Sequence, residues 1–182
     1  MQLNDHILGL LDAEKPYIEI INGRGREKNV SPEWPHSRAQ GEFWRIFTDY
    51  STSHGGDVGV ELRFVIVGPL GTNQSILPDV SYYTDEQKEL GGEEERRYPR
   101  RSPYAAVEIR SSDDRPGERE EKIELYVALG SRLVLDMDPR RETLTAIDAE
   151  TRRTFTKDDV FEHPALPGLR VELGPLFARI NR

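Results

Sequence analysis

Two charged residues stand where the local pattern asks for core. Glu108 lies inside the apolar stretch Tyr104-Ala-Ala-Val-Glu-Ile109, and Lys122 lies in the helical segment that follows. Strand period puts Tyr104, Ala106, Glu108 and Arg110 on one face, with Val107, Ile109 and Ser111 on the other. Helix period groups Lys122 with Tyr126 and Leu129, beside Ile123 and Val127, and sends Glu120, Glu121 and Glu124 to the solvated side. A buried carboxylate and a buried ammonium are each costly unless paired or metal-bound. One of each in consecutive elements points to a shared polar pocket. Upstream, Asp79 closes the run Ser75-Ile-Leu-Pro-Asp79.

Two carboxylates can bind one or two hard divalent cations through oxygen. Such an ion polarises a phosphate and lowers the pKa of a bound water, and a nearby lysine stabilises the charge that develops. The chemistry expected of Asp79, Glu108 and Lys122 is therefore metal-dependent phosphodiester cleavage. An ordinary Glu–Lys ion pair without chemistry is the competing account of Glu108 and Lys122. Glu61 is a candidate third carboxylate, although pairing with Arg63 on the same strand is its simpler role.

The elements that must position these groups can be read in order. Asn4 or Asp5 caps a short helix running to about Leu11. Tyr17–Ile21 is a strand ended by the hairpin turn Asn22-Gly23, and the polar return segment to Val30 lies on an edge. His36–Tyr50 is a helix with Phe43, Ile46, Phe47 and Tyr50 on one face, stopped at His54-Gly-Gly-Asp57. Val58–Val67 alternates as one long strand. Ile76–Tyr83 is a strand interrupted by Pro78, and so is placed at an edge or started at Pro78. Thr84–Arg101 lacks apolar periodicity and reads as a solvated loop. Tyr104–Ser111 is a strand, and a helix then runs to Leu129 with Gly130 as its stop. Leu133–Met137 and Thr143–Ile147 are strands. The helix between two strands makes a βαβ crossover and hence a parallel or mixed sheet. Phe155–Phe177 supplies an edge hairpin and a closing segment.

Composition bounds the rest. The chain has 182 residues, 36% hydrophobic and 32% charged, which fits one domain over residues 1–182. No window approaches the length of apolar sequence needed to span a membrane, so no membrane partner is expected. The N-terminal MQLNDHILGLLDAEK lacks a basic region followed by an apolar one, so no signal peptide is expected. Cysteine is absent, which rules out thiolate metal sites and agrees with a cytoplasmic location. The net charge of −8 argues against a general nucleic-acid coat protein and suits a binder of divalent cations.

The order of these features resembles the Uma-two family of restriction-endonuclease-like proteins, within the PD-(D/E)XK nuclease superfamily. The residues that carry the resemblance are Pro78-Asp79, then Glu108-Ile109-Arg110-Ser111, then Lys122 with Tyr126, Gly130 and Asp138-Pro139. Tyr17-Ile-Glu-Ile-Ile-Asn-Gly23, His36 and Leu166-Pro-Gly168 extend it over nearly the whole chain. The resemblance implies an α/β restriction-endonuclease-like fold, with a mixed β-sheet flanked by helices. It implies Asp79 and Glu108 as ligands of Mg²⁺ or Mn²⁺, with the main-chain carbonyl of Ile109 as a further ligand. It implies Lys122 as a catalytic lysine supplied by the helix, and nucleic acid, chiefly DNA, as substrate. A homodimer would suit double-strand cutting. The alternative is an inactive copy of the fold serving as a binding or assembly module. Two positions depart from the family pattern. Arg110 stands where an aliphatic residue is usual and is a candidate phosphate contact, and Asp136 interrupts an apolar strand, which suggests an edge or a different partner surface.

Overall fold

The structure is a computed structural model, and it describes residues 17–28, 33–68, 71–91, 97–112 and 114–182. The expected helix at Asn4–Leu11 lies outside the described residues. Strands β1 (Ile18–Ile21) and β2 (Arg24–Glu27) form a hairpin. Its turn residues Asn22 and Gly23 both take positive φ, 50° and 77°, as a tight two-residue hairpin turn requires. Helix α1 (Trp34–His54) starts with Pro35 in its first turn, where the missing N–H costs nothing. It ends at Gly55 and Gly56, whose φ values of 74° and 91° turn the chain back toward the sheet.

The next segment departs from its alternation pattern. Val58–Val67 is not one strand but two, β3 (Asp57–Val60) and β4 (Phe64–Val67), in different sheets. The break falls at Glu61, whose φ of 48° swings the chain out of the first sheet. The following arm makes the same change in reverse, from β5 (Asn73–Ile76) to β6 (Val80–Tyr83), across Leu77-Pro78-Asp79. Proline lacks a ladder donor, and here it marks a passage between sheets rather than a sheet edge. β6 is interior, paired with β3 on one side and with β7 (Ala105–Ile109) on the other.

The stretch expected as a solvated loop contains helix α2 (Asp85–Gly91). Its start is a capping box, in which the Gln87 amide donates to Thr84 Oγ1 at 3.2 Å and the Thr84 amide donates to Gln87 Oε1 at 3.1 Å. Further on, Tyr98 is buried, and the Pro99 carbonyl accepts from the Val65 amide.

β7, helix α3 (Pro116–Ala128) and β8 (Leu133–Asp138) form the expected crossover, with β7 and β8 parallel. Antiparallel β9 (Thr143–Ile147) and β10 (Arg152–Thr156) complete a mixed six-stranded sheet of order β10-β9-β8-β7-β6-β3. The other sheet is antiparallel, of order β2-β1-β5-β4. The short pair β11 (Val160–Phe161) and β12 (Val171–Glu172) leads into helix α4 (Leu173–Ile180). Phe43 and Phe47 of α1 and Leu176 and Phe177 of α4 pack on one face of the large sheet, against Val107 and Leu135. On the other face, Ile123 and Tyr126 of α3 meet Ala106 and Val134, together with Ile21 and Phe64 of the small sheet. Among the described residues no helix is long and apolar enough to cross a membrane.

Asp136 is not at an edge. β8 lies between β7 and β9, and all six of its residues are buried. The Asp136 carboxylate accepts from Arg110 (Nε 3.2 Å, Nη2 2.6 Å) and from Arg119 Nε at 2.9 Å. The two departures from the family pattern thus form one ion pair. Burial pushes the Asp136 carboxyl up, but the two guanidinium groups outweigh it and hold it below its ordinary value.

Replacing Asp136 with Asn leaves two arginines short of their counter-charge. We expect Asp136→Asn to lose roughly 3 kcal/mol at pH 7 in urea unfolding, toward the lower end for a buried pair because Arg110 is partly solvated. A lowered carboxyl pKa contributes stability above the unfolded value and loses it as pH falls through the folded one. The gap between wild type and variant should therefore be full at neutral pH and narrow below about pH 4. Thr84→Ala, which removes one half of the α2 capping box, should cost about 1 kcal/mol in the same assay.

Candidate active site

The site forms where the chain passes between sheets. β6 and β7 pair antiparallel with Val80 opposite Val107, so one further step of the register sets Asp79 opposite Glu108. Neighbours across a ladder share a face, which brings the two carboxylates to one side of the sheet. Asp79 is held there by the backbone, for the Ile109 amide donates to its Oδ2 at 2.7 Å. Helix α3, returning over β7, brings Lys122 Nζ to 2.9 Å from Glu108 Oε1 and 3.1 Å from Oε2. Tyr126, one turn later, donates its hydroxyl to Glu108 Oε1 at 2.8 Å. The spacing of Lys122 and Tyr126 is what places both on the same carboxylate.

Three further groups complete the cluster, and the sequence reading passed over their chemistry. Glu19 of β1 lies 2.9 Å from Lys122 Nζ, and its Oε1 accepts the Leu77 amide at 2.6 Å. Lys28, just past β2, lies 2.7 Å from Asp79 Oδ1. His36 in the first turn of α1 brings Nε2 to 3.5 Å from Asp79 Oδ2. All of these side chains are buried. Lys122 also donates to the Leu77 carbonyl at 3.0 Å. Both polar groups of the crossover residue Leu77 are thus satisfied by charged side chains of the site.

Burial opposes charge throughout this cluster, and the balance differs from group to group. It pushes the Asp79 carboxyl up, but Lys28, His36 and Lys122 outweigh it and hold the group well below the usual carboxylate range. For Glu108 burial prevails over the attraction of Lys122 and Lys28, and the pKa is raised. Burial disfavours the charge on Lys28, yet Asp79, Glu108 and Glu19 more than restore it, and its pKa is raised. The Tyr126 hydroxyl is pushed well above its ordinary value by burial and by the neighbouring Glu108 and Glu19.

The cluster opens onto a cleft of about 70 Å³ that Asp79, Glu108, Ile109 and Lys122 help to line. Arg115 and Arg119 of the α3 start are on its wall, and Arg119 Nη2 donates to the Glu108 carbonyl at 2.8 Å. Arg110 does not line this cleft. It turns to Asp136 and borders a neighbouring hollow of about 340 Å³ together with Arg140 and Arg141. Glu61 is absent from the cleft as well. It sits at the break between β3 and β4, where its amide donates to the Asp79 carbonyl at 3.3 Å.

The donor set of Asp79, Glu108 and Glu19 is hard oxygen, the kind that suits Mg²⁺ or Mn²⁺. Among the described residues no three His, Asp or Glu side chains are already gathered around one point as a metal cage. Lys28 and Lys122 stand between the carboxylates instead. Lys28 holds Asp79, and Lys122 holds both Glu19 and Glu108.

A solved structure described as a putative nuclease of DUF820 from Anabaena variabilis ATCC 29413 superposes with a TM-score of 0.77. It is 20% identical, and the match covers 92% of this chain and 93% of that one. A DrdV–DNA complex matches at 14% identity and a TM-score of 0.42, over 76% of this chain and 11% of that one. No curated protein matches the chain. The mixed sheet flanked by helices is the restriction-endonuclease-like fold. The model of the Uma2 family, described as a putative restriction endonuclease, matches residues 4–174. That match spans most of the chain, and the chain belongs to the Uma2 family.

Proposed function

We propose that this protein is a metal-dependent nuclease that hydrolyses phosphodiester bonds, with DNA as its substrate. The observation that supports this most directly is the convergence of Asp79, Glu108 and Lys122 at the floor of an open polar cleft. Asp79 and Glu108 would hold Mg²⁺ or Mn²⁺. When bound, the ion supplies a polarised phosphate and a more acidic water.

The chain's own residues do the rest. The Ile109 amide fixes Asp79, and Tyr126 fixes Glu108, so neither carboxylate has to be ordered during the reaction. Lys122, held between Glu19 and Glu108, presents an ammonium at the carboxylates to offset charge that builds on the phosphate oxygens. Hydrolysis adds the water oxygen to phosphorus and breaks one P–O ester bond, and the water's protons end on the leaving oxygen and in solvent. Arg115, exposed on the cleft wall, would meet the backbone of the substrate. Cutting both strands asks for two such clefts, which a homodimer would supply.

A second reading, a binding or assembly module without catalysis, is favoured by one observation. Each carboxylate of the cluster already has a lysine for a partner. Calorimetry separates the two readings, because a module built on ion pairs binds no Mn²⁺.

If the nuclease reading is right, purified protein cuts plasmid DNA with Mn²⁺ or Mg²⁺ and stops on chelation. Asp79→Asn and Glu108→Gln should each abolish cutting, and Lys122→Met should reduce it by a factor of roughly 100 or more. Cleavage that survives Asp79→Asn would sink the assignment. Glu108→Gln should also keep the melting temperature of the metal-free protein or raise it. The charge on Glu108 is held against burial at a cost, and active sites commonly trade stability for chemistry in this way.

A further inference from the structure

The ammonium group of Lys28 has no part in the chemistry above, yet it occupies the cleft's first carboxylate. Lys28 Nζ lies 2.7 Å from Asp79 Oδ1, and both side chains are nearly fully buried. The backbone of Lys28 is fixed too, for its amide donates to the Tyr17 carbonyl at 2.7 Å beyond the last β1–β2 pair. The two oxygens of Asp79 are not equivalent. Oδ2 is held by the Ile109 amide, so freeing it would break a backbone contact at the end of β7. Oδ1 is held by a flexible side chain, which can leave by rotation alone. An incoming cation therefore gains Asp79 at Oδ1, at the expense of the lysine. Lys122 is tied differently, with Glu19, Glu108 and the Leu77 carbonyl around it. Glu27 and Glu118 on the cleft rim offer a departing ammonium new partners.

We infer that Lys28 is a positioning residue that fills the divalent ion's place at Asp79 Oδ1 in the metal-free protein and is displaced when the ion binds. This inference rests on the metal-dependent reading given above. In the metal-free protein Lys28 keeps Asp79 charged and in place. On metal binding the same lysine is turned out toward the cleft mouth, where substrate phosphate enters.

The test is a calorimetric titration of the full chain with Mn²⁺. Lys28→Met, with the competing charge gone, should bind Mn²⁺ about ten-fold more tightly than wild type, while melting at a lower temperature without metal. Lys28→Arg keeps a cation at Asp79 and should bind no more tightly than wild type. A lysine that only packs would lower the melting temperature in Lys28→Met and leave the Mn²⁺ affinity unchanged or weaker, which overturns the displacement. An independent measurement needs no variant. In wild type carrying lysine labelled with ¹³C at Cε, the Lys28 resonance should move during a Mg²⁺ titration with the same midpoint as a calorimetric titration with Mg²⁺. A resonance that stays put at saturation overturns the inference even if Lys28→Met does not fold. Equal affinities for wild type and Lys28→Met would reject the displacement alone. No Mn²⁺ binding by either protein would reject the metal-dependent reading and the displacement together.

Discussion

When the chain leaves the small sheet for the large one at Leu77-Pro78-Asp79, it gives up its ladder hydrogen bonds inside the protein. Buried backbone groups must find other partners, and each one left alone costs on the order of 1–3 kcal/mol. Glu19 takes the Leu77 amide and Lys122 takes its carbonyl. Pro78 contributes no donor to satisfy. The passage between sheets is therefore closed by side-chain charges, and those charges need counter-charges of their own. Glu108 answers Lys122, and Lys28 answers Asp79. The polar cluster follows from the topology, because a sheet-to-sheet crossing at this depth has no neighbouring strand to complete it.

Arg110 and Asp136 repeat that logic on a smaller scale. Each is out of place by itself, a charge in an apolar strand pattern. Asp136 on β8 is the direct partner of Glu108 on parallel β7, and Arg110 stands two residues beyond Glu108, just past the strand, which brings its guanidinium onto the carboxylate. Arg119 joins from α3 and also caps the Glu108 carbonyl. The pair draws Arg110 away from Glu108 and leaves the cleft floor to Lys122. A basic group at position 110 that stayed free would compete with Lys122 for Glu108. Bound to Asp136, it does not.

How much of this was legible in the sequence depends on the range over which each signal acts. Glu108, Lys122 and Tyr126 were readable because strand and helix periods are local, and an inward charge violates them within a few residues. Asp79 was readable from its proline and from its order before Glu108. Glu19 sits in Ile18-Glu-Ile-Ile21, where a single acid looks like the solvated face of a hairpin, and only the docking of Leu77, 58 residues later, buries it. Lys28 lies in a polar return segment whose partner Asp79 is 51 residues away. No local pattern distinguishes such a lysine from a surface one. The split of Val58–Val67 was hidden for another reason. Alternation continues across the break, and the residue that turns the chain is Glu61 rather than glycine. The α2 start, by contrast, was available locally in Thr84-Asp-Glu-Gln87. Its charged flanks masked a signal that the capping geometry makes plain.

The same arrangement explains why fold and activity are separable in such a protein. A carboxylate–lysine cluster that closes a crossover is useful whether or not a metal ever binds, since removing a lysine strands a buried carboxylate at a cost of several kcal/mol. The lysines can therefore persist for stability alone. What catalysis would add is a demand on the same carboxylates. A cation entering the open cleft has to take Asp79 and Glu108 from the lysines that hold them. Burial already opposes the charge on Glu108, so a neutral residue there would relieve that cost and remove a candidate metal ligand at once. A metal-dependent reaction at this site would therefore rest on how readily the lysines yield the carboxylates, as much as on which residues are present.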